Sequence, residues 1–140
     1  MEEPTVSEQR DYFGSGETVN TTDSGSWFDL QHAIAPFEMA PGLRFRPAAE
    51  GNLMVNLVSF EPNVVAPVHA HSEQQAIYVI EGEVEYEVGG EIRTLRPGMA
   101  VIIPPHVPHG ARTHDSSCLE LDIFTPPRQG LLDAMKAQEG

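Results

Sequence analysis

The sequence predicts an all-β domain finished by one short C-terminal helix. Three observations carry that expectation. From Trp27 onward, apolar stretches of four to eight residues alternate with Gly, Pro and Asn punctuation, the spacing of a β-sandwich or barrel. Gly89-Gly90 separates two alternating segments, which is a two-residue hairpin signal. Helical character is confined to Leu131–Gln138, just after Gly130.

The elements follow in order. Residues 1–26 form a polar arm. Beyond Met1 their only sizeable apolar groups are Val6, Tyr12, Phe13 and Val19, too few for a core. Residues 27–140 then make up one domain. Leu43–Arg46 is a short strand bearing two arginines. Leu53–Phe60 is a longer one, stopped by the turn sequence Glu61-Pro62-Asn63. Val64–His71 contains Pro67, which confines it to a sheet edge or a bulge. Ala76–Ile80 is a continuous apolar run ended by Glu81-Gly82. Val84–Val88 and Glu91–Leu95 flank the glycine pair. Ala100–Ile103 stops at Pro104-Pro105, and Leu119–Phe124 is the last strand. There, Leu119, Leu121 and Ile123 alternate with Glu120, Asp122 and Phe124, so the two sets face opposite ways.

Composition narrows the functions. The 140 residues suffice for one domain with its own core. The formal charge is −13, from 21 acids against eight bases, with no basic stripe, so nucleic acid and anionic membrane are excluded as partners. An anionic ligand must therefore be captured by local cations. No apolar run exceeds five residues, far short of the ~20 of a transmembrane helix. The start MEEPTVSEQR reads as no secretory signal and Cys118 is the only cysteine, so a reducing cytoplasm is the expected setting.

The chemistry concentrates in histidines. His69 and His71, at i and i+2 on a strand, share a face about 7 Å apart, within reach of one metal ion. Gln75 opens the next apolar run and can face back toward them if that run is the adjacent antiparallel strand. His106 and His109 follow the buried strand Ala100–Ile103. Three imidazoles and one oxygen donor suit one divalent transition metal per chain (zinc, nickel, iron, manganese or copper) with positions left open.

These residues resemble the cupins. His69-Ala70-His71, Gln75 and Tyr78–Gly82 look like the first cupin motif. Pro97-Gly98, Ile103–Pro105 and Pro108-His109 look like the second. The resemblance covers about Gly42 to Arg128. It implies a double-stranded β-helix, or jelly roll, with a metal at its mouth. It assigns His69, His71 and His109 as ligands and leaves His106 either just behind the ligands or at the rim. Most metal cupins have Glu where Gln75 stands; a neutral amide leaves the full metal charge and a stronger Lewis acid.

Leu121–Arg128 resembles the last strand of small cupins that process unsaturated uronates released from pectin, whose metal site is His, His, Gln, His. Their functional Asp, Phe and Arg match Asp122, Phe124 and Arg128. The resemblance implies that Arg128 clamps a substrate carboxylate, Asp122 moves a proton and Phe124 forms an apolar wall. A bland reading stands beside this one, with Asp122 a buried acid paired to an arginine such as Arg128.

The best-supported expectation is a metal-dependent isomerase or lyase acting on a carboxylated sugar or related carbonyl compound. A dioxygenase using iron and oxygen is the runner-up, and a non-catalytic sugar-binding jelly roll the third reading. By resemblance the protein is a homodimer. Tyr78 and Tyr86 are expected in the core, each with a hydroxyl partner. Arg44 and Arg46 are expected on a solvated face, His32 and His114 at the surface, and Cys118 as a buried, inert thiol.

Overall fold

The computed structural model describes residues 24–139. Ten strands precede one helix: β1 Phe37–Ala40, β2 Leu43–Glu50, β3 Leu53–Phe60, β4 Val65–His69, β5 Gln74–Gly82, β6 Val84–Val88, β7 Glu91–Leu95, β8 Ala100–Ile103, β9 His109–Arg112, β10 Cys118–Thr125 and α1 Gln129–Glu139. They form two antiparallel sheets, ordered β1-β2-β3-β10-β5-β8 and β4-β9-β6-β7. This is the all-β jelly roll the sequence predicts, with its short C-terminal helix. Among the described residues no helix is long and apolar enough to cross a membrane.

The faces follow the alternation. On β10, Cys118, Glu120, Asp122 and Phe124 are buried, while Leu119, Leu121 and Ile123 are half-buried. Opposite them on β3 lie Phe60, Val58, Asn56 and Met54, also buried. The core between the sheets joins Val58, Phe60, Ile77, Val79, Val84 and Tyr86, among others. A second cluster joins Met54, Phe124 and Leu131, with Leu132 packed against it, so α1 covers the β3–β10 end through two leucines. Gly89 and Gly90 both have positive φ and leave Val88 paired with Glu91, the geometry of a two-residue hairpin.

Several expectations are corrected. β1 and β9 are strands that periodicity does not announce. The first exposes two of its four residues, and the second reads His-Gly-Ala-Arg. Gly110 fits β9 there because its α-carbon packs on β4: a Cβ would lie 3.0 Å from Ala66 O and from Val68 N. β2 continues through Pro47 to Glu50. β4 is an edge strand with an irregularity between Ala66 and His69, as Pro67 requires, and it ends before His71. Tyr78 is 47% exposed on the outer face, not in the core; Tyr86 is buried as expected. Residues 1–23 of the expected arm lie outside the described residues; the first strand begins at Phe37, and Trp27 is exposed.

Candidate metal centre

Three histidines converge where the mouths of the two sheets meet. His69 ends β4 and His109 begins β9, and the two are register partners. Their ring centroids are 4.5 Å apart. His71 lies past the end of β4, yet its ring is 5.6 Å from His69 and 4.8 Å from His109. The segment is pinned by a backbone bond in which His106 N–H donates to His71 O at 2.8 Å. His106 itself is exposed, at the rim. One ring nitrogen from each of His69, His71 and His109 falls within 4.8 Å of the others.

Each imidazole is turned the same way. Nδ1 of His69 faces Pro67 O at 3.0 Å, Nδ1 of His71 faces Glu73 O at 2.9 Å, and Nδ1 of His109 faces Val107 O at 2.9 Å. A carbonyl only accepts, so Nδ1 carries the proton and Nε2 keeps its lone pair. Burial, then the Arg128 cation, lowers the pKa of His71. Burial, then His69 and His71, lowers that of His109. Neutral rings are the form that binds metal.

Gln75 arrives from the opposite sheet. Its β5 pairs with β10 and β8, not with β4, so it does not sit on the strand beside His69. Gln75 Oε1 lies 3.0 Å from His71 Nε2, and Gln75 Nε2 donates to Asp122 Oδ2 at 3.0 Å. A neutral His71 whose Nδ1 is the donor therefore presents a lone pair to the Gln75 carbonyl oxygen, two acceptors face to face. His109 Nε2 is buried with no partner at all. A cation between these atoms would satisfy all of them, so the donor set fits a divalent metal.

Behind the histidines lies a buried acidic pair. Asp122 Oδ1 has no partner. Two residues earlier on the same face, Glu120 is fully buried and accepts from the Tyr86 hydroxyl at 2.8 and 2.7 Å. Burial and the neighbouring Glu120 push the Asp122 carboxyl well above its usual range; burial pushes Glu120 up too. Glu120 is the residue that sequence motifs miss. Its one signal is its place in the same alternation as Asp122.

Phe124 stacks edge-on to His71, with centroids 5.8 Å apart. Arg128 lies over Phe124 at 5.4 Å and reaches Glu73 only at 3.9 Å. The partner of Asp122 is thus Gln75 rather than Arg128. A small cavity of about 60 Å³ joins His69, Gln75, His109, Asp122, Phe124 and Arg128. Arg44 and Arg46 do not line this cavity. Arg44 pairs with Glu61, and both arginines are half-buried rather than fully solvated. His32 and His114 are exposed, and the buried Cys118 thiol is pushed up to about 12 by burial.

A family described as "Cupin domain" matches residues 56–124. The chain is 30% identical over 125 residues to H2HPP isomerase of Bacillus subtilis, covering 79% of this chain and 53% of that protein. It is 27% identical over 77 residues to L-ectoine synthase of Hahella chejuensis (strain KCTC 2396), covering 54% and 58%. The chain thus spans about half the length of these two relatives. The solved structure of KdgF from Halomonas sp. superposes with a TM-score of 0.71 at 34% identity, covering 77% of this chain and 99% of that one.

Proposed function

This chain belongs to the cupin family, and from that premise we propose that it is a metal-dependent enzyme that isomerises, or eliminates from, a small carboxylate-bearing carbonyl compound or sugar. One observation carries the reading: three tautomer-fixed imidazoles and the Gln75 carbonyl oxygen face one point, with Asp122 holding the far side of that amide. Relatives named as an isomerase and a synthase support the reaction class.

His69, His71, Gln75 and His109 are the proposed ligands. A divalent transition metal held there supplies Lewis acidity toward a substrate oxygen, undiminished by an anionic ligand. Arg128 binds the substrate carboxylate. Its ion pair with Glu73 is long, so an incoming carboxylate competes for it readily. Phe124 fixes the guanidinium from below and excludes water beside His71. Asp122 Oδ1, buried and without a partner, is the atom that takes and returns a proton.

The test is metal analysis of wild type, Gln75→Ala and His109→Ala, followed by turnover on unsaturated uronates and 2-oxo acids under air and under nitrogen. The expected result is about one metal ion per chain, weakened in both variants, with turnover that needs no oxygen. Oxygen-dependent turnover would replace the isomerase with a dioxygenase. Bound ligand without turnover would leave a binding protein.

We propose further that two copies associate through the outer face of the six-stranded sheet. Tyr78, Ile80 and Ile102 are exposed there at 47, 40 and 65%. Light scattering on wild type and Ile102→Glu tests this: a dimer that becomes a monomer supports it, and a monomeric wild type refutes it.

A further inference from the structure

Two cavities meet at the histidines. Outside the small one lies a larger space of about 350 Å³, opening between β1–β2 and β4. Five residues line both, Leu43, Phe45, Ala66, His69 and Arg128, and of these only His69 and Arg128 are polar. The outer space is otherwise walled by hydrocarbon and thioether groups, foremost Met39, Leu43, Phe45 and Val68. Among the described residues no hydroxyl, amide or carboxylate side chain lines it. Its walls are partly fixed in place. Phe45 packs edge-on against Phe37 with centroids 5.6 Å apart. Met39 and Val68 stand open to solvent at 42 and 56%.

A sugar acid carries a hydroxyl on most of its carbons. Each hydroxyl that leaves water without a new partner costs binding energy, and this wall offers no side-chain partners. A hydrocarbon body gains where the sugar loses, because it removes its own surface and that of Met39 and Val68 from water. We propose that the substrate of this site is a carboxylate with an apolar body, one ring or a branched chain, rather than a polyhydroxylated sugar acid. Its carboxylate meets Arg128, its carbonyl end lies at the histidines, and its body rests on Met39, Phe45 and Val68. The volume is at the small end of the roughly 300–1,000 Å³ typical of ligand pockets, which suits such a body. The inference rests on the reading above that Arg128 takes the carboxylate, and it chooses between the two substrate classes that reading allows.

The experiment is calorimetric titration of the protein as purified, with its metal content measured. Phenylpyruvate, pyruvate and D-galacturonate are the ligands. Phenylpyruvate is expected to bind about 30-fold more tightly than either of the others, the effect of burying one ring. The double variant Met39→Asn, Val68→Asn changes only exposed positions. It is expected to weaken phenylpyruvate about tenfold and pyruvate less than twofold. Galacturonate binding as tightly as phenylpyruvate would overturn the apolar body while leaving the carboxylate site standing, as would equal affinities for the two oxo acids. No binding of any of the three, or oxo-acid affinity unchanged in Arg128→Ala, would overturn the carboxylate site and this inference together.

Discussion

Asp122 decides which way round the Gln75 amide faces. Its Oδ2 accepts from Gln75 Nε2 at 3.0 Å, so the amide oxygen is the atom turned to His71. Oxygen is the donor a metal needs, and nitrogen is not. The two residues come from adjacent strands, and the bond spans 47 positions of chain. A carboxylate that is not itself among the proposed ligands thereby orients one.

The first prediction separates the two roles proposed for Asp122. Asp122→Ala frees the amide to rotate. Metal affinity is expected to fall about 10- to 100-fold, the usual effect of removing a group that orients a ligand. Asp122→Asn still offers an oxygen to Gln75 Nε2 but carries no exchangeable acid proton. It is expected to keep metal affinity within a few-fold and to lose turnover. Equilibrium dialysis against a chelator measures the first effect, and steady-state assay the second. Equal metal loss in both variants would show that charge, not orientation, matters.

Much of this arrangement is legible in the sequence, and the parts that are not share a cause. The strict alternation on β10 sets Glu120, Asp122 and Phe124 on one face, because strand side chains repeat every two residues. The hairpin at Gly89-Gly90 follows from the conformations glycine alone adopts freely. By contrast, β9 carries His109 but has no alternation to announce it. It is a strand only because β4 and β6 flank it. Gln75 does face His71, as the sequence leads one to expect, but from the opposite sheet rather than from the strand beside it, and that route is not encoded in local spacing. Met39 belongs to β1, four residues long, whose pairing with β2 is tertiary rather than local. The motifs therefore mark the ligands, while the wall around them waits for the fold.

Gly110 sets the spacing between the strands of His69 and His109. A methyl group there would sit 3.0 Å from backbone atoms of Ala66 and Val68, which cannot swing aside as a side chain can. Gly110→Ala is expected to destabilise the fold by about 1–3 kcal/mol, the usual cost of overpacking. Because the displaced strand is β4, metal affinity is expected to fall as well. Thermal unfolding and metal titration on the same sample check both. Destabilisation with unchanged metal affinity would mean that the strain relaxes away from His69.

Gln75→Glu exchanges a neutral ligand for an anionic one. With metal bound, the added charge is expected to raise affinity by at least ~10-fold, since opposite charges at ligand distance attract strongly in a buried site. Without metal, the new carboxylate faces Asp122 where the amide N–H once donated, close to a second buried acid. The chelated variant is therefore expected to melt below chelated wild type, and the metal-loaded variant to be stabilised more by its metal. Turnover should fall despite tighter binding, because the bound cation is partly neutralised. Differential scanning calorimetry with and without metal reads the two signs separately.

Glu120 supplies the pH dependence. It is fully buried, and the titratable groups facing it are Tyr86, Asp122 and Cys118, none of them a cation. Burial raises its carboxyl, and raises that of Asp122 together with Glu120's own charge. A group whose folded pKa lies above its unfolded value favours folding by holding a proton. That contribution is complete below the unfolded carboxylate range, near 4, and is lost as pH climbs through the raised folded value. Wild type is thus expected to lose stability from mildly acid toward alkaline solution. Glu120→Gln keeps an oxygen for the Tyr86 hydroxyl and cannot ionise, so it should remove part of that loss. At pH 8 the variant is expected to exceed wild type by about 1–3 kcal/mol, and near pH 4.5 to match it within ~0.5 kcal/mol. Urea unfolding of chelator-treated protein at the two pH values gives the comparison without metal binding entering it. A variant less stable than wild type at pH 8 would mean that the Tyr86 hydroxyl alone compensates the buried charge, and that the acidic pair holds no proton in the folded state.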